Sequence, residues 1–324
     1  MIELRDNSLV FSFPEVHPDA TCTIRFQRTL RIPDDNREYP LPPGLGSFPI
    51  EHVDDHVERL PESWRRHGGV MIPMWQSEAM WIRLGGNYPC AVQIAAGKIN
   101  AVSGRRWNDR LTKRPQNYVV IPDQPWLDGF NVSKDHIRQF VAMPLGEGYT
   151  AEEQLTGSAE HGGLQIKVYP MKAEVYEEVW KLHLSWNNHV MYSVAPSMEM
   201  GLAAGGLMRQ EIYKDEYGID SWDREHTSRC FVHIVNSEVY ESITGQKPPH
   251  APPTAEDYTK AGLPWFDYYA DKPAIEGSSE LAGLTSVAAK VIEKTGSPLE
   301  DNAPVEPKNV KVLYDPLLVR EGEF

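Results

Sequence analysis

Residues 69–100 read GVMIPMWQSEAMWIRLGGNYPCAVQIAAGKIN, and this stretch decides the fold class. Apolar runs at Val70–Trp75, Ala79–Leu84 and Cys90–Ala95 are each about as long as a strand, and Tyr118–Ile121 adds a fourth. Gly85-Gly86-Asn87 and Gly97-Lys98 stand where the chain would reverse, so the block reads as a β-meander. Working towards the N-terminus, Leu9–Phe13 and Thr21–Arg31 continue the pattern. The second places Cys22, Ile24 and Phe26 on one face, with Cys22 as a small core residue.

Helical signals are fewer and lie mostly in the second half. Thr150 and Glu153 form a capping box closed by Gly157. Asn236 or Ser237 caps Glu238–Thr244, and Thr254 with Asp257 opens another short helix. Val175, Val179, Leu182 and Trp186 recur at helical spacing and predict an amphipathic helix over Met171–Trp186, with Pro170 at its start. Leu281, Leu284, Val291 and Ile292 predict another over Ser279–Thr295, and residues 298–307 read as a tether before a late strand at Val310–Tyr314. The expected architecture is α+β, mainly antiparallel or mixed β-sheet with a few packed amphipathic helices. It is read as one compact unit over residues 1–324, with a possible division near 157–163 where Gly157 and Gly162-Gly163 bracket a polar turn.

Charge and cysteine usage bound the partners. The 324 residues carry 46 acidic and 32 basic side chains, a formal charge of −14, so the average field opposes nucleic acid and anionic membranes. A local exception is Arg105, Arg106, Arg110, Lys113 and Arg114 around Trp107, which could hold a phosphate or an acidic partner; the plainer reading is a solvated turn. No apolar run approaches the ~20 residues of a spanning helix, and Met1 leads directly into a charged segment rather than a signal peptide. Three widely spaced cysteines fit a reducing, cytoplasmic setting without a disulfide framework. A homo-oligomer is among the partners the sequence leaves open.

Motifs of known chemistry fail on spacing or facing. Gly97-Lys98 lacks the flanking residues of a phosphate loop, and Gly146-Glu147-Gly148 places a carboxylate where an anion would sit. His52 and His56 beside Asp54 and Asp55 lack a third metal ligand, and the default there is an acidic turn. Cys230 and His233 fall on opposite faces of a strand, while Asp215, Asp220 and Asp223 are ordered wrongly for a calcium loop. The expectation is no metal and no cofactor. The densest aromatic group is Trp265, Phe266, Tyr268 and Tyr269 around Asp267, the candidate ligand surface of a binding or interaction protein for a small molecule or another protein. The rival is an enzyme, plausibly a hydrolase, with a site assembled from the separated residues Glu160, His161, His183, Asp220 and His226.

Overall fold

The computed structural model describes residues 1–179, 199–269, 272–299 and 301–314. Its main strands join in one continuous ladder that divides into two halves. The first half is antiparallel and runs Ile2–Arg5, Ser8–Ser12, Thr21–Thr29, Ala79–Gly85, His136–Pro144 and Glu199–Arg209. In the second, Val70–Met74 lies parallel to Ser228–Asn236, which pairs antiparallel with Leu164–Pro170, and Leu164–Pro170 in turn pairs antiparallel with Cys90–Ala96. The halves meet at a corner where Glu199 and Met200 pair with Val235 and Ile234.

Strand periodicity explains why the halves stack face to face. Cys22, Ile24 and Phe26, with Met80, Ile82 and Leu84, share one core cluster with Cys90, Val92 and Ile94 and with Val232 and Ile234. The Cys22 and Cys90 thiols interact across this core, and burial pushes the Cys90 pKa well up, so both are inert packing residues. The opposite faces are covered separately. Ala79, Val141 and Ala203 pack on Val287 of the helix Val287–Thr295, and Met71 and Val235 on Trp64, Tyr240 and Ile243. Leu30, Ile137 and Met208 pack on Tyr258, Trp265 and Val305.

The α+β class holds, but several elements differ from the sequence reading. Val70–Met74, Ala79–Gly85 and Cys90–Ala96 are strands, but of the expected meander only the antiparallel pairing of Val119–Ile121 with Cys90–Val92 forms; the first three strands pair with more distant strands rather than with one another. Val70–Met74 and Cys90–Ala96 are buried at every position, so their apolar runs carry length but no register information. Gly97 does turn the chain back, pairing Ala96 with Ile99.

The helix expected over Ser279–Thr295 is two helices, Ser279–Ala282 and Val287–Thr295. Ser286 caps the second by accepting from the Ala289 amide, and side-chain-to-backbone bonds of this kind open helices rather than continue them. Pro170 completes the strand Leu164–Pro170, and the following helix begins at Ala173, described to Val179; the rest of that expected helix lies outside the described residues. The expected tether is anchored where Arg31 pairs with Asp301, and Asn302 Oδ1 accepts from the Asp34 amide at 2.9 Å. Val310–Tyr314 is a strand, parallel to Trp265–Tyr269.

Candidate functional site

Beyond the strand Glu199–Arg209, the chain from Gln210 to Asp215 is held by three glutamine side chains rather than by a regular ladder. Gln210 Oε1 accepts from the Asp128 amide at 2.9 Å, and its Nε2 donates to Asp128 Oδ2 at 2.7 Å. Gln124 accepts from the Tyr213 amide at 3.0 Å, and Gln116 accepts from the Asp215 amide at 2.9 Å. Each amide side chain has a donor and an acceptor, so it can clip two stretches of backbone that no strand register brings together. On the other flank, Lys214 and Ile275 amides donate to Pro273 and Ile212 carbonyls. These clips fix an irregular segment at the mouth of a cavity.

That cavity has a volume of about 280 Å³ and is lined by Trp126, Tyr213 and Tyr268 together with Lys134, Arg209 and Lys272. Trp126 is placed by the two-residue strand Trp126–Leu127 on Ala79–Gly85, and Tyr268 meets it edge-on at 4.7 Å. Arg209 ends its strand opposite His136, and Lys134 sits in the preceding turn. Lys272 pairs with Asp123 at 2.7 Å and lies 5.7 Å from the centre of the Tyr213 ring. Among the described residues, Lys134 and Arg209 have no ion-pair partner. Glu211 also faces the cavity.

Asp128 lies behind this wall, held by two side chains that line the cavity, Trp126 and Gln210. Burial pushes its pKa up to about 7, against the lowering effect of those two hydrogen bonds. Beside the same segment, Tyr118, Tyr217 and Trp222 form an aromatic cluster about buried Asp215. The Tyr118 hydroxyl donates to Asp215 Oδ2 at 2.5 Å and the Trp222 indole at 3.1 Å, while Oδ1 accepts from the Tyr217 and Gly218 amides.

The candidates from the sequence are distributed unevenly. Trp265 is fully buried and belongs to the core under the outer sheet face; Phe266 and Asp267 are half-buried. Tyr268 reaches the cavity, and the Tyr269 side chain lies outside the described residues. His183 is outside them as well. His161 Nδ1 lies 3.2 Å from Glu152, a buried carboxylate the sequence did not single out, and 3.9 Å from exposed Glu160. Glu152 also accepts from the His161 and Gly162 amides, so the pair clamps the loop ahead of the strand Leu164–Pro170. His226 bonds Asp223 at 2.9 Å and Asp220 pairs with Arg224, both beyond the far end of that strand, where the Asp223 amide donates to Pro170. A strand of seven residues separates these groups by roughly 20 Å, so they do not assemble into one site.

Cys230 and His233 are both buried on opposite strand faces, and His233 stacks on Trp64 at 4.4 Å with its pKa lowered to about 4 by burial. His52 flanks a 3-10 helix, Val53–Arg59, and His56 turns to Glu51 at 3.5 Å. Among the described residues no three His, Cys, Asp or Glu side chains gather to hold a metal, and no helix is long and apolar enough to cross a membrane. Trp126, Lys134, Arg209, Tyr213 and Lys272 escaped the sequence reading because they come from separate segments, which strand ends, the glutamine clips and the Lys272–Asp123 pair bring together. Comparison with protein-family models, curated proteins and solved structures gives no match.

Proposed function

We propose that this chain is a binding protein for a small organic anion with a flat apolar body, held in the cavity between Trp126, Tyr268 and Arg209. The observation that carries this reading is the convergence of three aromatic side chains and two cations without ion-pair partners among the described residues, in a chain of charge −14. Aromatic walls give a flat ligand large contact at small entropic cost. A guanidinium at the rim supplies the fork that a carboxylate accepts. A volume near 280 Å³ suits a single-ring acid rather than a nucleotide or peptide.

The reading takes residues 1–324 as one unit in a reducing, cytoplasmic setting, supported by pairing across the turn at 157–163 and by three free buried cysteines. Calorimetric titration with benzoate, cyclohexanecarboxylate and benzyl alcohol tests it. Benzoate is expected to bind best, and Arg209→Gln or Tyr268→Ala to weaken it by about tenfold. Equal binding of benzyl alcohol, or benzoate affinity unchanged in both variants, would overturn the proposal.

A further inference from the structure

A second cavity, of about 260 Å³, lies on the loop between Ala101 and Asn117 and is separate from the aromatic one in every lining residue. Its walls include Arg105, Arg106 and Arg114 with Asn108 and Thr112, and no Asp or Glu lines it. Two buried asparagines make the loop rigid. Asn100 donates to the Asn117 carbonyl at 2.8 Å and accepts from the Val102 and Ser103 amides at 3.1 and 2.9 Å. Asn117 accepts from the Thr112 amide at 2.8 Å and donates to the Arg110 carbonyl at 2.9 Å, a carbonyl that Gln93 also reaches at 3.0 Å. The arginines are therefore not needed to hold the loop.

Of the three arginines only Arg105 meets a carboxylate among the described residues. Asp109, the loop's own carboxylate, faces Lys167 at 3.8 Å and Arg229 at 3.5 Å, while Glu280 pairs with Arg105 at 3.6 Å. Among the described residues Arg106 and Arg114 have no ion-pair partner. Three guanidiniums around one cavity repel one another, a cost that an anion between them removes. Each guanidinium offers a planar fork of donors, and several forks around one cavity suit the three or more acceptor oxygens of a phosphate, where a lone carboxylate presents only two. The volume lies below the ~300–1,000 Å³ of drug-sized sites, which limits the guest to a compact head group.

We propose that the Arg105–Arg106–Arg114 cavity is a binding site for a phosphate-class oxyanion on a small molecule, of phosphate or diphosphate size. The site is independent of the aromatic cavity, and either can fail alone. Titration of the full chain with sodium pyrophosphate at low and at physiological salt tests it, alongside Arg106→Gln/Arg114→Gln, Arg106→Lys/Arg114→Lys and the distant Arg209→Gln. Saturable binding is expected, weakened by salt, by about tenfold or more in the glutamine pair, to a lesser degree in the lysine pair, and unchanged in Arg209→Gln. All three substituted side chains are exposed, and far-UV circular dichroism checks that each variant is folded. Absence of saturable binding to the unaltered chain, equal affinity in the glutamine pair, or loss of binding in Arg209→Gln instead would overturn the assignment.

Discussion

Gln210 clasps Asp128 with both ends of its amide, accepting from the Asp128 backbone at 2.9 Å and donating to its carboxylate at 2.7 Å. Burial outweighs this help and holds the Asp128 pKa up at about 7. Between the ordinary carboxylate value and about 7, the folded chain keeps a proton that the unfolded chain releases. Stability therefore falls as pH rises through that window, by at most about 1.4 kcal/mol per pH unit from this group, and levels off above it. Asp128→Asn is expected to flatten the slope. Urea unfolding of both proteins across the window checks this, and an unchanged slope would sink the assignment.

Arg28 and Glu78 form an ion pair almost wholly removed from solvent, Arg28 on the strand Thr21–Thr29 and Glu78 just ahead of its neighbour Ala79–Gly85. Burial raises the Glu78 pKa well above the usual range and lowers that of Arg28 to about 10, with the mutual attraction opposing both shifts. Removing one partner strands the other charge, so Glu78→Ala is expected to cost about 3–5 kcal/mol. Arg28→Met/Glu78→Leu should cost clearly less than the sum of its single variants, because no charge is left buried. A double-mutant cycle by chemical denaturation gives the answer, and additivity would contradict the pairing.

How much of this was legible in the sequence depends on whether the cause is local. Thr150 with Glu153, Asn236, and Gly157 and Gly245 were readable because a cap is a bond between residues a few positions apart. The strands were readable as apolar runs, but their partners were not. Val70–Met74 is buried at every position and fits any neighbour, and its parallel pairing with Ser228–Asn236 spans half the chain. The aromatic run at residues 265–269 pointed to Tyr268, while Trp265 turned out to be core, since a strand sends alternate side chains to opposite faces. The arginine loop was visible as composition. Its cavity depends on Asn100 and Asn117, whose side chains carry no signal until the loop closes.

His226 and Asp223 make an exposed pair in which the histidine gains its shift from a hydrogen bond to the carboxylate. The His226 pKa is raised and that of Asp223 lowered, the latter by bonds from His226 and the Glu225 amide that outweigh its partial burial. A two-dimensional NMR titration is expected to find His226 above the ordinary histidine value, and Asp223→Asn to return it to that value. His233, neutral on burial with a pKa near 4, should stay unprotonated through the same range. A His226 midpoint that ignores the Asp223 substitution would show that the bond does not form in solution.

Gly97 turns between two strands against the Glu152 carboxylate, and the two residues are coupled through space. Its φ of +55° is left-handed, and a Cβ there would stand 2.4 Å from Glu152 Oε2. Glu152 cannot swing away freely, because its oxygens accept from the His161 and Gly162 amides at 3.2 and 2.9 Å and contact the His161 ring. Gly97→Ala is therefore expected to destabilise by roughly 2–4 kcal/mol, combining backbone strain with the displaced carboxylate. Glu152→Ala removes the obstructing carboxylate but forfeits the loop clamp, and its own Cβ stays 2.9 Å from the methyl that Gly97→Ala adds. The two substitutions together should cost less than their sum, with a coupling of about 0.5–3 kcal/mol, since the second relieves part of the first. Denaturant midpoints for the two single variants and the double variant measure that coupling. Strict additivity would mean that the backbone conformation alone, and not the carboxylate beside it, requires glycine at this turn.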